Sequence, residues 1–234
     1  MDLLRFVIVG LILLVGLPAW AGEVVGPAVV VDGDTVEVDG QRFRLAGIDA
    51  PEAAQTLPLA TGGQDFFGRG AALVLRAMLQ DGAIRCRPTG QRDKRGTELA
   101  VCFSGDADLG AEMIARGMAW TLPDEPSAYE KLEAEAREAR RGFWRDQLER
   151  PWLFRRRLQF SAGSISPKGC AFKATVDRKG NKIYFAPWSP WYAKFKVDEK
   201  RGDKWVCSEV EAISAGWKAP LFLMNSIVSG VYDP

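Results

Sequence analysis

Histidine is absent from the 234-residue chain. Its absence excludes Ser–His–Asp triads, Cys–His pairs, imidazole general bases and His-ligated zinc. The chemistry that is still open rests on carboxylates, arginine, lysine, tyrosine and cysteine. Because carboxylates are then the best metal ligands that the chain offers, a hard cation such as calcium or magnesium is favoured.

Net charge is nearly absent as well, since 31 Lys and Arg residues face 30 Asp and Glu residues. No global field therefore draws the protein towards nucleic acid or an anionic membrane, and contact with nucleic acid requires a local basic patch. Hydrophobic residues make up 47% and charged residues 26% of the chain, which is typical of a globular protein. The length allows one substantial domain and a smaller one.

A long uncharged apolar run lies near the N-terminus, at Phe6–Leu17. Arg5 precedes it, and Ala-Trp-Ala follows it at residues 19–21. This order predicts a signal peptide over residues 1–21, with a mature start at Gly22. An uncleaved anchor is the alternative, but the run is shorter than the ~20 residues that a membrane span needs. We therefore expect a secreted or periplasmic protein without stable membrane association after cleavage.

Four cysteines allow three disulfide pairings, and export makes disulfides permissible. Cys86 and Cys102 flank a predicted hairpin, and a loop centred near residues 93–94 places them opposite each other, which predicts that they pair. Cys170 and Cys207 bracket the C-terminal region, where a disulfide would supply stability that a small core lacks. Buried free thiols are the alternative, which export disfavours.

Two Asp-Gly dipeptides, Asp32-Gly33 and Asp39-Gly40, stand between apolar runs and predict a three-stranded meander. The predicted strands cover residues 25–31, 35–38, 41–48, 83–88 and 98–103, and the predicted helices cover 66–79, 108–116 and 127–141. Five strands that begin as a meander, with about three helices, favour an OB-fold barrel over a parallel α/β sheet. The expected class is α+β and mainly β.

The composition changes after the barrel. Four arginines and a Ser/Gly stretch between Arg150 and Pro167 indicate a linker, and an aromatic-rich stretch comes next. The predicted divisions are a signal peptide at 1–21, the barrel at 22–150, the linker at 151–167 and a small C-terminal module at 168–234.

Carboxylates of the meander form a candidate metal site. With a two-residue turn at 39–40, Asp34 lies opposite Leu45, and Asp49 has the same parity as Leu45. Asp34 and Asp49 should therefore share one face near one end of the sheet, as a calcium site requires. The same parity places Arg44 on the other face unless coiling or a bulge brings it round. The alternative is structural, because Asp-Gly is commonly just a turn.

Longer motifs are more specific than these single residues. The run DGDTVEVDGQRFRLAGIDAPE resembles the signature of the staphylococcal nuclease (thermonuclease) family. The similarity continues through CRPTGQRDKRGTELAVCF, ADLGAEMIARGMAW and EAEAREARRGFW, and it covers about residues 24–145 in the same order. The resemblance implies an OB-fold nuclease that uses calcium to hydrolyse phosphodiester bonds of DNA and RNA.

The resemblance also implies roles for individual residues. Asp34 and Asp49 would be calcium ligands, helped by the main-chain carbonyl of Ala50. Glu52 would be the general base that activates or positions the attacking water. Arg44 would hold the phosphate and stabilise charge on the pentacoordinate transition state.

One position departs from the family pattern. The family's second catalytic arginine follows a D-[KR]-Y-G motif, but this chain has Asp-Lys-Arg-Gly and then Thr97. Arg95 stands where the family has an aromatic residue, and could substitute if it faces the same way as Thr97. Two hypotheses result: an exported calcium-dependent nuclease weakened at this position, or a catalytically impaired relative that binds nucleic acid or another partner.

The hairpin that carries Thr97 is basic. Its candidate contacts to a nucleic-acid backbone are Arg85, Arg87, Arg92, Lys94 and Arg95. The alternative is that these charges are only a solvated hairpin surface.

The C-terminal stretches KIYFAPWSPWY and GDKWVCSEVEAISAGWKAP resemble a small domain that is appended to some exported relatives. Its aromatic residues are Tyr184, Trp188, Trp191, Tyr192 and Trp205. We expect them to form the core of this module first, and a ligand-stacking surface is the alternative.

Overall fold

The computed structural model describes residues 22–58, 62–79, 83–123 and 127–220. The predicted signal peptide, residues 1–21, lies outside these ranges, as does the end of the predicted module, residues 221–234. None of the helices in the described ranges is both long and apolar enough to cross a membrane.

The first domain is a closed barrel. Its strands are β1 (Val24–Asp32), β2 (Thr35–Val38), β3 (Gln41–Leu45), β4 (Ala83–Arg92) and β5 (Glu98–Ser104). The first three strands form the predicted antiparallel meander, β1 also pairs with β4, and β4 pairs with β5. A parallel pairing of β3 with β5 closes the sheet. The result is the five-stranded mixed barrel of an OB fold, as the sequence predicts.

The other elements surround this barrel or come after it. Two-residue strands occur at Ile48–Asp49, Leu57–Pro58, Gln64–Asp65, Ala107–Asp108 and Trp120–Thr121. The α-helices of the described ranges are α1 (Phe67–Leu79), α2 (Leu109–Ala115), α3 (Glu130–Glu138), α4 (Pro151–Ile165) and α5 (Glu209–Ser214). The C-terminal sheet contains β6 (Phe172–Val176), β7 (Lys182–Phe185) and β8 (Lys204–Val206), with β6 in the middle. Short 3-10 helices occur at Gly142–Arg145, Pro167–Gly169 and Glu199–Arg201.

Helices α1 to α3 correspond to the three predicted ones, whereas α4 and α5 are additional. Helix α4 occupies the stretch interpreted as a linker, which is therefore helical rather than open chain. Its Pro151 stands in the first turn, where the missing N–H costs no hydrogen bond. Phe154, Leu158 and Ala162 are spaced four residues apart and pack into the C-terminal core. The arginines and Ser/Gly residues between them obscure this apolar stripe in the sequence.

The barrel interior is filled by alternate residues of the strands and by one face of α1. Fully buried members include Val36, Phe43, Leu45, Ile84 and Leu75. The alternation matches a two-residue side-chain period, with one face of each strand inside.

Both predicted disulfides are present, and no cysteine is free. Cys86 and Cys102 are directly opposite each other on β4 and β5, as the hairpin register predicts. The second disulfide joins Cys170, before β6, to Cys207, after β8. It links two neighbouring strands of the small C-terminal sheet, since β6 and β8 are antiparallel and Phe172 pairs with Val206.

A second hydrophobic core lies in the C-terminal module. Tyr184 and Trp188 are buried, and Phe172 lies edge-on to Trp188 with ring centroids 5.6 Å apart. Two of the five aromatic residues expected in the core are therefore buried, whereas Trp191, Tyr192 and Trp205 are half-buried. The helix α4 also packs on this core through Phe154.

A close approach at Gly68 positions the loop that follows Asp49. Gly68 lies in the first turn of α1, and its N–H donates to the carbonyl of Gln55 at 3.4 Å. A Cβ atom at this position would overlap the carbonyl group of Glu52 and lie 2.7 Å from the Ala53 nitrogen. Only a residue without a side chain lets the helix pack directly against this loop.

We predict that Gly68→Ala destabilises the protein by about 1–3 kcal/mol, the usual cost of overpacking, because the Glu52 loop must move. The matched control is Gly70→Ala in the same helix, where an added Cβ meets nothing within 4 Å. That control should be neutral or more stable by up to ~1 kcal/mol, since alanine is the better helix former. Urea unfolding of both variants measures the difference, and equal stabilities would contradict the packing argument.

Candidate active site

Acidic side chains of the meander meet at one end of the barrel. Asp32 ends β1, Asp34 lies in the turn before β2, and Asp49 lies on a short strand after β3. The Ala50 N–H donates to Oδ2 of Asp34 at 3.2 Å, which ties the two segments together. Glu52 comes three residues after Asp49 and is buried.

Arg44 connects the two carboxylates that were expected to share a face. Its Nη2 donates to Asp34 Oδ2 at 3.1 Å and to Asp49 Oδ1 at 2.7 Å. Its Nη1 donates to Asp93 Oδ2 at 3.3 Å. The carboxylates of Asp34 and Asp49 therefore both lie within hydrogen-bond distance of one guanidinium nitrogen. The two carboxylates are close together, as the sequence predicted.

The parity argument that placed Arg44 on the opposite face is wrong. It assumed that Asp34 and Asp49 continue the pleat of Leu45. In the structure Asp34 belongs to the turn at residues 33–34, and a second turn at residues 46–47 separates Asp49 from β3. Neither side chain follows strand alternation, so both carboxylates reach the face on which Arg44 lies.

Arg155 is a residue of the site that the sequence reasoning missed. It comes from α4 and donates from Nη1 to Asp49 Oδ1 at 3.0 Å and from Nη2 to Asp49 Oδ2 at 2.7 Å. Its Nη1 also donates to Glu52 Oε1 at 2.6 Å. This is a bidentate contact to one carboxylate with a second contact to its neighbour. The sequence signal that could have indicated a buried helix here is the spacing of Phe154, Leu158 and Ala162. This spacing defines which face of α4 is buried.

Burial determines the acidity of Glu52. It raises the pKa of this carboxyl, and the positive charges of Arg155 and Arg95 only partly offset the effect. The Glu52 N–H donates to Oε1 of Gln55 at 3.3 Å, and the Gln55 amide in turn donates to the carbonyl of Glu149 just before α4. The loop that carries Glu52 is thereby joined to the start of that helix.

Asp32 and Asp34 have opposite pKa shifts. Burial raises the pKa of Asp32 well above its ordinary value, and the like charges of Glu52 and Asp34 add to the rise. Burial acts in the same direction on Asp34, but Arg44 and Arg95 outweigh it and lower its pKa. The charge of Asp32 is therefore the less well compensated of the two.

Arg95 and Thr97 line the same cleft, and whether Arg95 substitutes for an arginine at position 97 stays a prediction. Asp93 Oδ1 accepts from the N–H groups of both residues, at 2.9 Å and 2.8 Å, which shapes the turn between β4 and β5. The Arg95 Nε lies 3.4 Å from Asp93 Oδ2 and 3.7 Å from Glu209 Oε2. Arg95 is therefore held between the barrel and the C-terminal module.

The cleft beside Glu52 has a volume of about 110 Å³ and is formed by both domains. On the barrel side it is lined by Arg44, Glu52 and Arg95, and on the module side by Tyr184, Trp191 and Glu209, among others. Tyr184 donates its hydroxyl hydrogen bond to Glu209 at 2.6 Å. The module thus supplies one wall of the candidate site.

Other basic residues of the hairpin lie apart from this cleft. Arg85 and Arg87 contact Glu23 at 3.2 Å and 2.7 Å, and both guanidinium groups lie over the ring of Phe103. Lys94 is exposed at the hairpin tip. Their use as a contact surface for a nucleic-acid backbone stays a prediction.

Comparison with known proteins extends this description. The family model described as "Staphylococcal nuclease homologue" matches residues 42–146. The chain is 35% identical to a micrococcal nuclease of Shigella flexneri over 175 residues, which cover 65% of this chain and 92% of that protein. It is 34% identical to the protein ParB of Escherichia coli over 165 residues, or 62% and 86% of the two chains.

A third relative is described as an uncharacterized endonuclease of Escherichia coli O157:H7. It is 29% identical over 149 residues, which cover 60% of this chain and 90% of that protein. The fold, the motif order and these relatives lead to one conclusion. The chain belongs to the staphylococcal nuclease family.

Proposed function

We propose that the protein is an exported, calcium-dependent nuclease that hydrolyses phosphodiester bonds of DNA or RNA. Membership of the family and the names of the relatives support a nuclease. The observation that carries the finer proposal is the position of Arg44 Nη2 between Asp34 and Asp49, beside the buried Glu52. In this proposal the two aspartates are the acid ligands, Glu52 is the base and Arg44 is the cation that binds the phosphate.

The donor set is of the kind that calcium prefers, because Asp34 and Asp49 offer carboxylate oxygens. In this structure the guanidinium groups of Arg44 and Arg155 bind those oxygens, and a calcium ion would have to displace them. Nearby, burial and the charges of Glu52 and Asp34 raise the pKa of Asp32. Among the described residues, no group of three or more acidic or cysteine side chains is arranged to hold a metal ion.

Asp34 and Asp49 would hold the ion, with the carbonyl of Ala50 as a third oxygen donor. When bound, calcium would act as a Lewis acid that draws charge from a phosphoryl oxygen. Release of Arg44 from the two carboxylates would free its N–H groups for the same phosphate. Arginine binds phosphate oxygens with short, charge-assisted hydrogen bonds.

Glu52 would accept the proton of an attacking water. The water oxygen bonds to phosphorus, the proton passes to Glu52, and the bond to the leaving oxygen breaks. Burial raises the pKa of Glu52, which makes its carboxylate a stronger base than an exposed one. Since the base must be ionised to act, activity should fall as the pH decreases towards this raised pKa.

Export is supported by the disulfides and by the predicted signal peptide. Both disulfides are of the kind that persists in an oxidising compartment. We therefore propose a secreted or periplasmic location.

We predict that hydrolysis requires calcium and both carboxylates. Asp34→Ala and Asp49→Ala should each lower the rate at least ~100-fold, comparable to the loss of one strong electrostatic contact in other active sites. The exposed Asp106 provides the control, because Asp106→Ala should keep the full rate. The assay is digestion of single-stranded DNA and of RNA with calcium and with excess chelator.

Full activity in chelator would contradict the calcium proposal. An inactive protein that still binds single-stranded nucleic acid would favour the binding-module alternative, for which Thr97 is the supporting observation.

A second prediction concerns stability. Because folding raises the pKa of Asp32, its folded state prefers the protonated form. The stability that this protonated form contributes is present below the pKa that Asp32 has in the unfolded chain. It is lost as the pH rises through the pKa that Asp32 has in the folded protein. At neutral pH without metal, Asp32→Asn should therefore raise the Tm, by ~2–4 °C for each 1 kcal/mol recovered.

Thermal unfolding in chelator and in calcium measures this effect, with Asp106→Asn as the exposed control. Calcium should stabilise the wild-type protein more than Asp32→Asn. A lower Tm for Asp32→Asn in chelator would show that the carboxylate of Asp32 is not destabilising.

A further inference from the structure

The contact of Arg155 with Glu52 is not explained by the roles proposed so far. Arg155 Nη1 lies 2.6 Å from Glu52 Oε1 and 3.0 Å from Asp49 Oδ1. Its side chain is 17% exposed, whereas those of Asp49 and Glu52 are 0% and 7% exposed. The guanidinium therefore stands at the border between the buried carboxylates and the solvent.

Arg155 is held in this place by the second core. The neighbouring Phe154 and, one turn later, Leu158 pack among the aromatic residues of the C-terminal module. Residue 155 lies beyond the matched region of the family model, which ends at residue 146. The position of this guanidinium is thus a property of the extension and not of the barrel alone.

We propose that Arg155 is a catalytic arginine, which binds a non-bridging oxygen of the scissile phosphate and stabilises the charge that develops there. This inference rests on the proposed nuclease function. The planar guanidinium that is bidentate on Asp49 has the same donor geometry that fits a phosphate. A phosphate placed beside Glu52 for attack by a Glu52-bound water would lie next to Arg155 Nη1.

The two other arginines of the site contact carboxylates other than Glu52. Arg95 is held by Asp93 and by Glu209 of α5. Arg44 is shared among Asp34, Asp49 and Asp93, and its proposed phosphate contact requires its release from them. Of the three, Arg155 is the one whose ion pairs include the proposed base.

Formal charge supports the same assignment. Six carboxylates lie in or beside the site, together with four guanidinium groups. The acids are Asp32, Asp34, Asp49, Glu52, Asp93 and Glu209, and the bases are Arg42, Arg44, Arg95 and Arg155. An anionic substrate is repelled by such a surplus, so each guanidinium that can turn from a carboxylate to a phosphate matters for binding and rate. Thr97, which also lines the cleft, contributes no charge there.

The test compares Arg155→Gln, Arg155→Lys and the pair Thr97→Arg/Arg155→Gln with the wild-type chain. Arg157→Met is the matched control, because Arg157 lies on the same helix, has a 54% exposed side chain and forms its ion pair with Glu149, at 2.7 Å. The measurements are kcat and KM on a single-stranded oligonucleotide with calcium, the Kd of thymidine 5′-monophosphate by calorimetry, and thermal unfolding as the check of the fold.

Arg155→Gln should lower kcat by ~10²–10³-fold, as loss of one transition-state donor does elsewhere. The affinity for thymidine 5′-monophosphate should fall by ~10–100-fold, because a charge-assisted hydrogen bond is lost. Arg155→Lys should lie between wild type and Arg155→Gln, since a point charge cannot replace the bidentate fork. Arg157→Met should stay within about twofold of wild type, as exposed ion pairs contribute little.

Thr97→Arg adds a second, independent readout. If Arg155 supplies a guanidinium that position 97 lacks, Thr97→Arg should restore kcat at least ~10-fold in the Arg155→Gln background and raise it less in the wild-type chain. Such non-additivity is the sign that two residues serve one role.

Several results would overturn the proposal. An unchanged or increased kcat in Arg155→Gln would make Arg155 a structural or blocking ion pair. If that variant does not fold, an unchanged kcat in Arg155→Lys overturns it instead. If the wild-type chain cleaves nothing, the proposed nuclease function fails. The Kd of thymidine 5′-monophosphate then tests Arg155 separately. Equal Kd values for wild type and Arg155→Gln would overturn the role of Arg155 in phosphate binding.

Discussion

Buried carboxylates impose the main constraint on this molecule. Asp34, Asp49 and Glu52 are all buried, and each ionised group removed from water costs several kcal/mol unless it is paired. Arg44 and Arg155 provide that pairing through hydrogen bonds of 2.6–3.1 Å. Buried ion pairs of this kind add little net stability, because desolvation offsets the attraction. Their concentration at one end of the barrel is therefore better explained by chemistry than by folding.

Local patterns were sufficient for most of the fold. Asp-Gly turns predicted the meander, and hairpin register predicted the pairing of Cys86 with Cys102. The cap of α2 is also local, because Asp108 accepts from the N–H groups of the next turn. The proximity of Asp34 and Asp49 was likewise predicted, although by a parity that the turns beside them interrupt.

Long-range features were not predictable in the same way. The contact of Arg155 with Asp49 joins residues 106 positions apart, and no periodicity relates them. A cluster of arginines beside Ser and Gly is typical of a linker, so the buried stripe of α4 was overlooked. Whether Arg44 shares a face with Asp34 and Asp49 depended on where the regular strands end and the turns begin. The alternation of side chains alone does not define those ends.

The C-terminal module determines the candidate site together with the barrel. Glu209 on α5 contacts Arg95 and accepts from Tyr184, so one wall of the cleft and one hairpin of the barrel are fixed together. Arg155 brings positive charge to Glu52 from a helix whose apolar face belongs to the second core. The family model, which matches residues 42–146, covers Arg44, Asp49 and Glu52 but neither Asp34 nor Arg155. Proteins with the same barrel can consequently differ in the electrostatics of the site, because part of the charge comes from helix α4 and the C-terminal module.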